Sequence, residues 1–291
     1  MIQRFLNCFR RLKLFLFKEK EEVKREIDFY HRIQNEYAKR KEEIIEWAIS
    51  DGRFDQEVNY YRNHPYEMFP YEWCNREELI KQTKLFSDGD FRYVIHNNRR
   101  LYLDSRWTYV QLQLEQKDSS PHKYFSKEFY VPENAIFCDI GAAEGIMALE
   151  CIDICKKSYL IEYDSKWKQR LEKTFEPFSE KAIIVPKYAS DIDDEDNVKL
   201  DSLLQNEEDV IVLKIDVEGM ESVVLSGTME TLNKKRVLVS MAIYHKPEDE
   251  EKFTNFFRNL GYEIEISENY AYLAYSEKPF LRRCILRAKN Y

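Results

Sequence analysis

The chain has 291 residues, enough for one ordinary domain plus an extension, since a domain takes roughly 150. Its 53 acidic residues outnumber the 45 basic ones, and the resulting net charge of −8 argues against nucleic acid as a partner, because phosphate binding wants a basic face. The six cysteines, several of them within apolar runs, are packing usage in a reducing compartment; the expectation is a cytoplasmic protein without a disulfide framework.

The first twenty residues depart from this balance. Arg4, Arg10, Arg11, Lys13, Lys18 and Lys20 stand against Glu19 alone, a net of +5, and Phe5, Leu6, Phe9, Leu12, Leu14, Phe15, Leu16 and Phe17 supply the apolar part. The run is too short and interrupted to span a bilayer, which takes about twenty apolar residues, and it has no small-residue cleavage site. Two readings stand side by side. The segment is an amphipathic helix lying on an anionic membrane surface, which would put the protein at the inner membrane face, or it docks on the protein's own body or a second subunit.

From Glu19 to about Ile49, Val23, Ile27, Tyr30, Tyr37, Ile44 and Ala48 fall at steps of three, four or seven, which predicts one long helix ended by Asp51-Gly52. Gln34 and Lys41 interrupt the stripe, so the helix packs on a neighbour instead of forming an extended coiled coil. Residues 1–52 make a first segment. Residues 53–125 make an accessory lobe whose aromatic stretch, 55–85, reads as its own small core, with stacking of sugar rings as the competing use. Tyr93–Leu103 reads as a hairpin turning at Asn97-Asn98, since asparagine tolerates the positive φ such turns need. His122 sits in the polar turn Ser120–Tyr124, which is either part of a cleft lid for a hydroxylated acceptor or a plain surface turn.

Residues 126–291 carry the chemistry. Ile136–Ile140 is a buried strand ending beside Asp139, and Gly141-Ala142-Ala143-Glu144-Gly145 turns it into a helix starting near Ala143. Gly141 sits where the backbone reverses, and Gly145 where a side chain would block close approach of a ligand or neighbouring strand. The spacing is not the G-x-G-x-x-G of dinucleotide sites, so NAD is disfavoured. Carboxylates at Asp139 and Glu144 suit a cationic or hydroxyl-rich ligand, and S-adenosylmethionine offers a sulfonium, an ammonium and a ribose diol. Ser158–Glu162 is a second strand ending in an acid about twenty residues on, the spacing of a diol-binding carboxylate. Residues 164–176 are a helix, Lys181–Tyr188 a third strand, and Asp209–Asp216 a fourth that is apolar on both faces. Val237–Ile243 is a fifth strand, residues 247–260 a helix, and Tyr262–Ile266 with Tyr270–Tyr275 a closing pair. This βα alternation predicts an α/β fold, a doubly wound Rossmann-like sheet with ligands at the carboxyl ends of its strands.

Asp216-Val217-Glu218-Gly219-Met220-Glu221 crowds three carboxylates at the end of the fourth strand. Asp216 and Glu218 are read as facing the cleft, while Glu221 is equally a helix N-terminal acid. His245 directly follows a sheet strand, which makes it the candidate proton acceptor, with Asp216 as its rival and Lys214 as a group that orients the acceptor. Asp216, Glu218 and His245 have metal-ligand chemistry, but no spacing signature fixes a site and none is assigned.

Asp139–Gly145, Glu162 and Leu213–Glu221, with Leu225 and Gly227, resemble the FkbM-type family of S-adenosylmethionine-dependent methyltransferases, over roughly residues 110–290. Lys199-Leu200-Asp201 is similar to the family's T-L-D segment, with lysine where threonine is usual. The resemblance implies a class I methyltransferase sheet, cofactor contacts from Asp139 through Gly145, and Glu162 on the ribose hydroxyls. It also implies O-methylation, often of a sugar hydroxyl in a glycan or glycosylated metabolite. A binding or scaffold protein that keeps the fold without transfer chemistry is the alternative.

Overall fold

The structure, a computed structural model, describes residues 2–273 and 281–291, with side chains from Lys18 onward. The apolar and basic side chains read in residues 1–17 therefore lie outside the described residues, as do Ala274 and Tyr275. Four helices come first, α1 (Ile2–Glu36), α2 (Ala38–Asp51), α3 (Asp55–Asn63) and α4 (Arg76–Gln82). Strands β1 (Phe86–Asp88), β2 (Phe91–His96) and β3 (Arg99–Tyr102) follow, then α5 (Arg106–Glu115). The chain continues through β4 (Ile136–Ile140), α6 (Ile146–Cys151), β5 (Lys157–Ile161), α7 (Ser165–Phe175) and β6 (Ala182–Val185). Next are β7 (Tyr188–Ala189), β8 (Asn197–Val198), α8 (Leu200–Leu204), β9 (Ile211–Ile215), α9 (Glu221–Ser226), α10 (Met229–Lys234) and β10 (Val237–Ala242). Last come α11 (Asp249–Asn259), β11 (Glu263–Ile266), β12 (Ala271–Tyr272), β13 (Leu281–Arg282) and β14 (Ile285–Lys289). Among the described residues no helix is long and apolar enough to cross a membrane.

Two compact units result, the first comprising residues 1–84, 105–114 and 272–281. The long helix expected to Ile49 is interrupted at Tyr37 (φ −92°, ψ 7°), and Gly52 ends α2 in the left-handed conformation (φ 79°) that glycine tolerates. The aromatics Phe54, Tyr61, Tyr66 and Phe69 are buried, as a small core requires. Arg106, fully buried, is neutralised by Glu22 and Glu26 of α1 at 3.1 and 3.3 Å.

The second unit comprises residues 85–104, 115–271 and 282–291. Its hairpin turns at Asn97 (φ 47°) and Asn98 (φ 63°), with β2 and β3 paired from His96–Arg99 to Tyr93–Tyr102. Its main sheet has the order β11-β14-β10-β9-β4-β5-β6, in which β10, β9, β4, β5 and β6 run parallel. β4 is the switch point: the chain lays β5 and β6 on one side of it and later β9 and β10 on the other. Two expectations are corrected at the periphery. The third strand ends at Val185, and Tyr188 opens the separate parallel pair of β7 and β8. The closing pair is not made by the described part of Tyr270–Tyr275: β11 pairs antiparallel with β14, which also pairs antiparallel with β10, while β12 joins β13 in a two-stranded sheet.

Every residue of β4, β9 and β10 is buried. Alternate side chains leave opposite faces of a strand. Ile136, Cys138 and Ile140, with Ile211, Leu213 and Ile215 and with Val237, Val239 and Met241, share a core with Val224, Leu225, Phe253 and Phe257. The intervening positions therefore point to the opposite face, where Asp139, Lys214 and Ser240 alternate with the apolar Phe137, Val212 and Leu238.

Candidate active site

Register assembles those polar residues into a row. Asp139 is level with Lys214, Lys214 with Ser240, Ser240 with Arg287, and Arg287 with Glu265. Lys214 Nζ lies 3.0 Å from Asp139 Oδ1 and donates to the carbonyl of Gly141 at 2.6 Å. Asp139 Oδ2 accepts from the amide of Ala148 at 3.3 Å, fixing the start of α6. Burial pushes the Asp139 carboxyl up, against the opposing pull of Lys214. Burial also works against the Lys214 ammonium, but Asp139 and Asp216 outweigh it and hold its pKa above the usual value. Ser240 Oγ and Arg287 Nε both donate to the carbonyl of Tyr124, at 2.6 and 2.8 Å, so the row anchors the Ser120–Tyr124 stretch.

One residue beyond this row, Ile140 is level with Ile161 and Ile215, and Ile215 with Met241. Gly141, Glu162 and Asp216 thus leave the sheet along one carboxyl edge, level with Ala242 at the end of β10, and His245 follows three residues further on. Gly141 has φ +72°, and a Cβ there would stand 1.9 Å from the carbonyl oxygen of Asp216. Its constraint is the neighbouring strand. Gly145 (φ +75°) would set a Cβ 2.8 Å from both Leu171 and Phe175 of α7 and 3.1 Å from Leu160 of β5, so close packing of that helix and the neighbouring strand, not ligand approach, demands glycine there. Ala143 (φ 45°) donates its amide to Glu162 Oε2 at 3.0 Å, and the amide of Asp164 donates to Oε1 at 2.8 Å. Each oxygen keeps a second lone pair. The Glu144 carboxyl is buried, and that burial pushes its pKa up to about 7. Ala142 is buried beside it, its amide bonded to the carbonyl of Ile161 at 3.2 Å.

At the tips of β9 and β10 a second cluster converges. Asp216 Oδ2 accepts from the Tyr124 hydroxyl at 2.6 Å and from the Tyr244 hydroxyl at 3.3 Å. His122 Nε2 is 3.7 Å from the same oxygen, and His122 is only 5% exposed, which removes the surface-turn reading. His245 Nδ1 lies 2.9 Å from Glu221 Oε1, and Nε2 lies 3.4 Å from Asp216 Oδ1 and 3.6 Å from Glu218 Oε2. Glu221 is buried and accepts from the amides of Val217 and Gly219 at 3.2 and 3.3 Å, which closes the turn after β9. Burial opposes the charge on Asp216 and Glu221, but Lys214, His122 and His245 around the first, and His245 beside the second, hold both pKa values below the usual range. Burial likewise opposes the imidazolium of His245, and the carboxylates of Glu221, Asp216 and Glu218 outweigh it, raising the pKa.

Of the residues picked from sequence, the structure brings Asp216, Glu218 and His245 together and gathers Asp139, Lys214 and the Gly141–Gly145 turn beside them. Lys214 is occupied with Asp139 and Gly141. Tyr124, Tyr244 and His122 were not assigned a role at Asp216, and the histidine–acid contact of Glu221 was missed; the signal was present only as polar residues clustered in Ser120–Tyr124 and Tyr244–Asp249.

The model of the Methyltransferase FkbM domain matches residues 138–264. No curated protein matches the chain. Among solved structures it is similar to the methyltransferase FkbM from Methylobacillus flagellatus KT, at 16% identity over 63% of this chain and 53% of that one, with a TM-score of 0.44. The chain therefore spans about half the length of that structure. It is also similar to the precorrin-6y C5,15-methyltransferase from Geobacter metallireducens GS-15, at 12% identity over 68% of this chain and 95% of that one, TM-score 0.39. A Streptococcus mutans structure described as that of a methyltransferase, in complex with SAH, is similar at 12% identity over 55% of this chain and 91% of that one, TM-score 0.37.

Proposed function

We propose, from the match of residues 138–264 to the methyltransferase FkbM domain model, that the protein transfers a methyl group from S-adenosylmethionine to a hydroxyl of a glycan or glycosylated metabolite. When bound, that cofactor supplies an electrophilic methyl on a sulfonium. The single observation that carries the reading is the alignment of Glu162, Asp216 and His245 along one carboxyl edge, beside the strand-to-helix turn. Glu162 fits a ribose diol because its oxygens are already oriented by the amides of Ala143 and Asp164 and keep free lone pairs. Lys214, by tying Asp139 to the Gly141 carbonyl, is a positioning residue for the turn.

An alcohol is a weak nucleophile, so the chain must hold the acceptor oxygen in line and take its proton. Orientation contributes about 7–11 kcal/mol in the best cases, and a placed base adds roughly 10²–10⁴-fold. His245 is the base in this reading, Glu221 fixing its Nδ1 side while Nε2 faces Asp216. Lys214, His122 and His245 keep Asp216 ionised, and Tyr124 and Tyr244, donating to it, aim the carboxylate. Residues 1–20, basic and apolar, dock the protein on an anionic membrane surface in the same reading, which suits an acceptor on a lipid-linked glycan.

Purified protein incubated with S-adenosylmethionine and a panel of hydroxylated sugars and glycolipids is expected to form S-adenosylhomocysteine. His245→Ala is expected to slow that formation by roughly 10²–10⁴-fold. Binding of the cofactor without turnover on any acceptor would favour the scaffold reading instead. Deleting residues 1–20 is expected to abolish sedimentation with anionic vesicles; a truncated protein that still pellets would refute the docking.

A further inference from the structure

We propose that Asp216, Glu221 and His245 form a binding site for one divalent cation of the Mn2+ or Zn2+ type. The proposal rests on the reading of the β9 and β10 tips as the acceptor end of the site, and it adds the ion that would hold the acceptor oxygen there.

The three side chains come from separate elements: the end of β9, the first turn of α9 and the segment after β10. One ligand atom from each lies within 4.8 Å of the other two. An ion bound at about 2.1 Å would draw its ligand atoms to roughly 3–4 Å from one another, so the cluster needs only small side-chain rotations to close. His245 is the second observation. Its side chain is 7% exposed; Glu221 stands 2.9 Å from Nδ1, but Nε2 makes no aligned hydrogen bond, its nearest carboxylate oxygens being 3.4 and 3.6 Å away. Buried polar atoms normally find aligned partners. Three carboxylates converging on one buried imidazole are a donor set that a single ion could share.

Charge points the same way. Asp216, Glu221 and Glu218 surround one imidazole, and the ammonium of Lys214 is directed to Asp139 and Gly141. His122, at 3.7 Å from Asp216, is the other titratable base against the cluster. A divalent ion offsets this excess. One nitrogen with two carboxylate oxygens suits Mn2+ or Zn2+ better than Mg2+ or Ca2+, which take oxygen ligands, and three protein ligands leave open positions for a hydroxyl oxygen. With the ion bound, His245 and Asp216 would be its ligands and the acceptor hydroxyl would meet the ion; the role of His245 as base belongs to the ion-free site.

The direct test is Mn2+ titration of chelator-treated, full-length protein followed by electron paramagnetic resonance. One bound Mn2+ per chain is expected, with a pulsed-resonance signature of a directly coordinated imidazole nitrogen, and Zn2+ is expected to displace it. His245→Ala is expected to abolish that nitrogen signature, and Asp216→Asn to weaken binding by at least roughly tenfold. Asp193→Asn, at an exposed acid whose hydrogen bonds come from the Lys199 amide and the Ser202 hydroxyl, is expected to leave Mn2+ binding unchanged. No stoichiometric Mn2+, or bound Mn2+ without nitrogen coupling in the unaltered protein, overturns the proposal, and neither result depends on a variant folding. Calorimetry with S-adenosylhomocysteine on the same metal-free sample separates the two readings. Product binding without Mn2+ binding sinks the ion alone. Mn2+ with nitrogen coupling but no product binding sinks the methyltransferase reading alone.

Discussion

Two polar regions lie one residue apart on the same sheet and are built oppositely. The row Asp139, Lys214, Ser240, Arg287 and Glu265 is balanced, two acids against two bases, and its members are joined side chain to side chain or through the Tyr124 carbonyl. The rim of Asp216, Glu218, Glu221, His245 and His122 is unbalanced, three acids against two imidazoles. Balanced buried charge fixes geometry, whereas a surplus of one sign is a standing demand for a ligand of the other sign. The row holds the turn and Tyr124 in place, and the rim is what they are held in place for.

The hardest blow to the row is Lys214→Met, which strands Asp139 in the core. Breaking a buried pair costs about 3–5 kcal/mol, and adding Asp139→Asn is expected to restore much of it, read by urea unfolding. A loss under about 1 kcal/mol for the single variant would mean that the row is not a coupled unit.

Glu144 tests the turn between the two regions. Its folded pKa, about 7, lies above the usual 4.5, so the folded protein keeps a proton that the unfolded chain releases between those values. Its contribution to stability is therefore present at low pH and lost as pH rises through that window. Glu144→Gln stays neutral, and its unfolding free energy is expected to match wild type near pH 4.5 and exceed it by up to about 3 kcal/mol at pH 8. A gap that does not widen with pH would place the carboxyl in water.

The smallest effect belongs to Glu218→Gln, whose side chain is 90% exposed. Urea unfolding is expected to shift by no more than about 0.5 kcal/mol. A larger loss would move Glu218 from the rim into the structural row.

Much of this was legible because β4 and β9 are short apolar runs bounded by charge and glycine, and because Gly141 and Glu162 have spacing that a local reading detects. The reasons for the glycines were not legible: Gly141 answers to the Asp216 carbonyl and Gly145 to α7, contacts that exist only after folding. β14 went unread since Ile285–Lys289 carries two basic residues, and its place between β10 and β11 is a non-local pairing that no window of sequence reports. The contact of Glu221 with His245 joins residues on different elements, so charge patterning alone left Glu221 undecided between the cleft and a helix start. Polar residues inside otherwise apolar strands, Asp139, Lys214 and Ser240, were the visible trace of the row, but only register shows that they adjoin.

The central claim is that this carboxyl edge binds an S-adenosyl nucleoside through Glu162, and titration calorimetry with S-adenosylhomocysteine on wild type and Glu162→Ala tests it most directly. One equivalent bound by wild type is expected, with affinity roughly 10–100-fold weaker in the variant, the worth of a charge-assisted hydrogen bond pair. No binding to folded wild-type protein, or equal affinity in both, would contradict it.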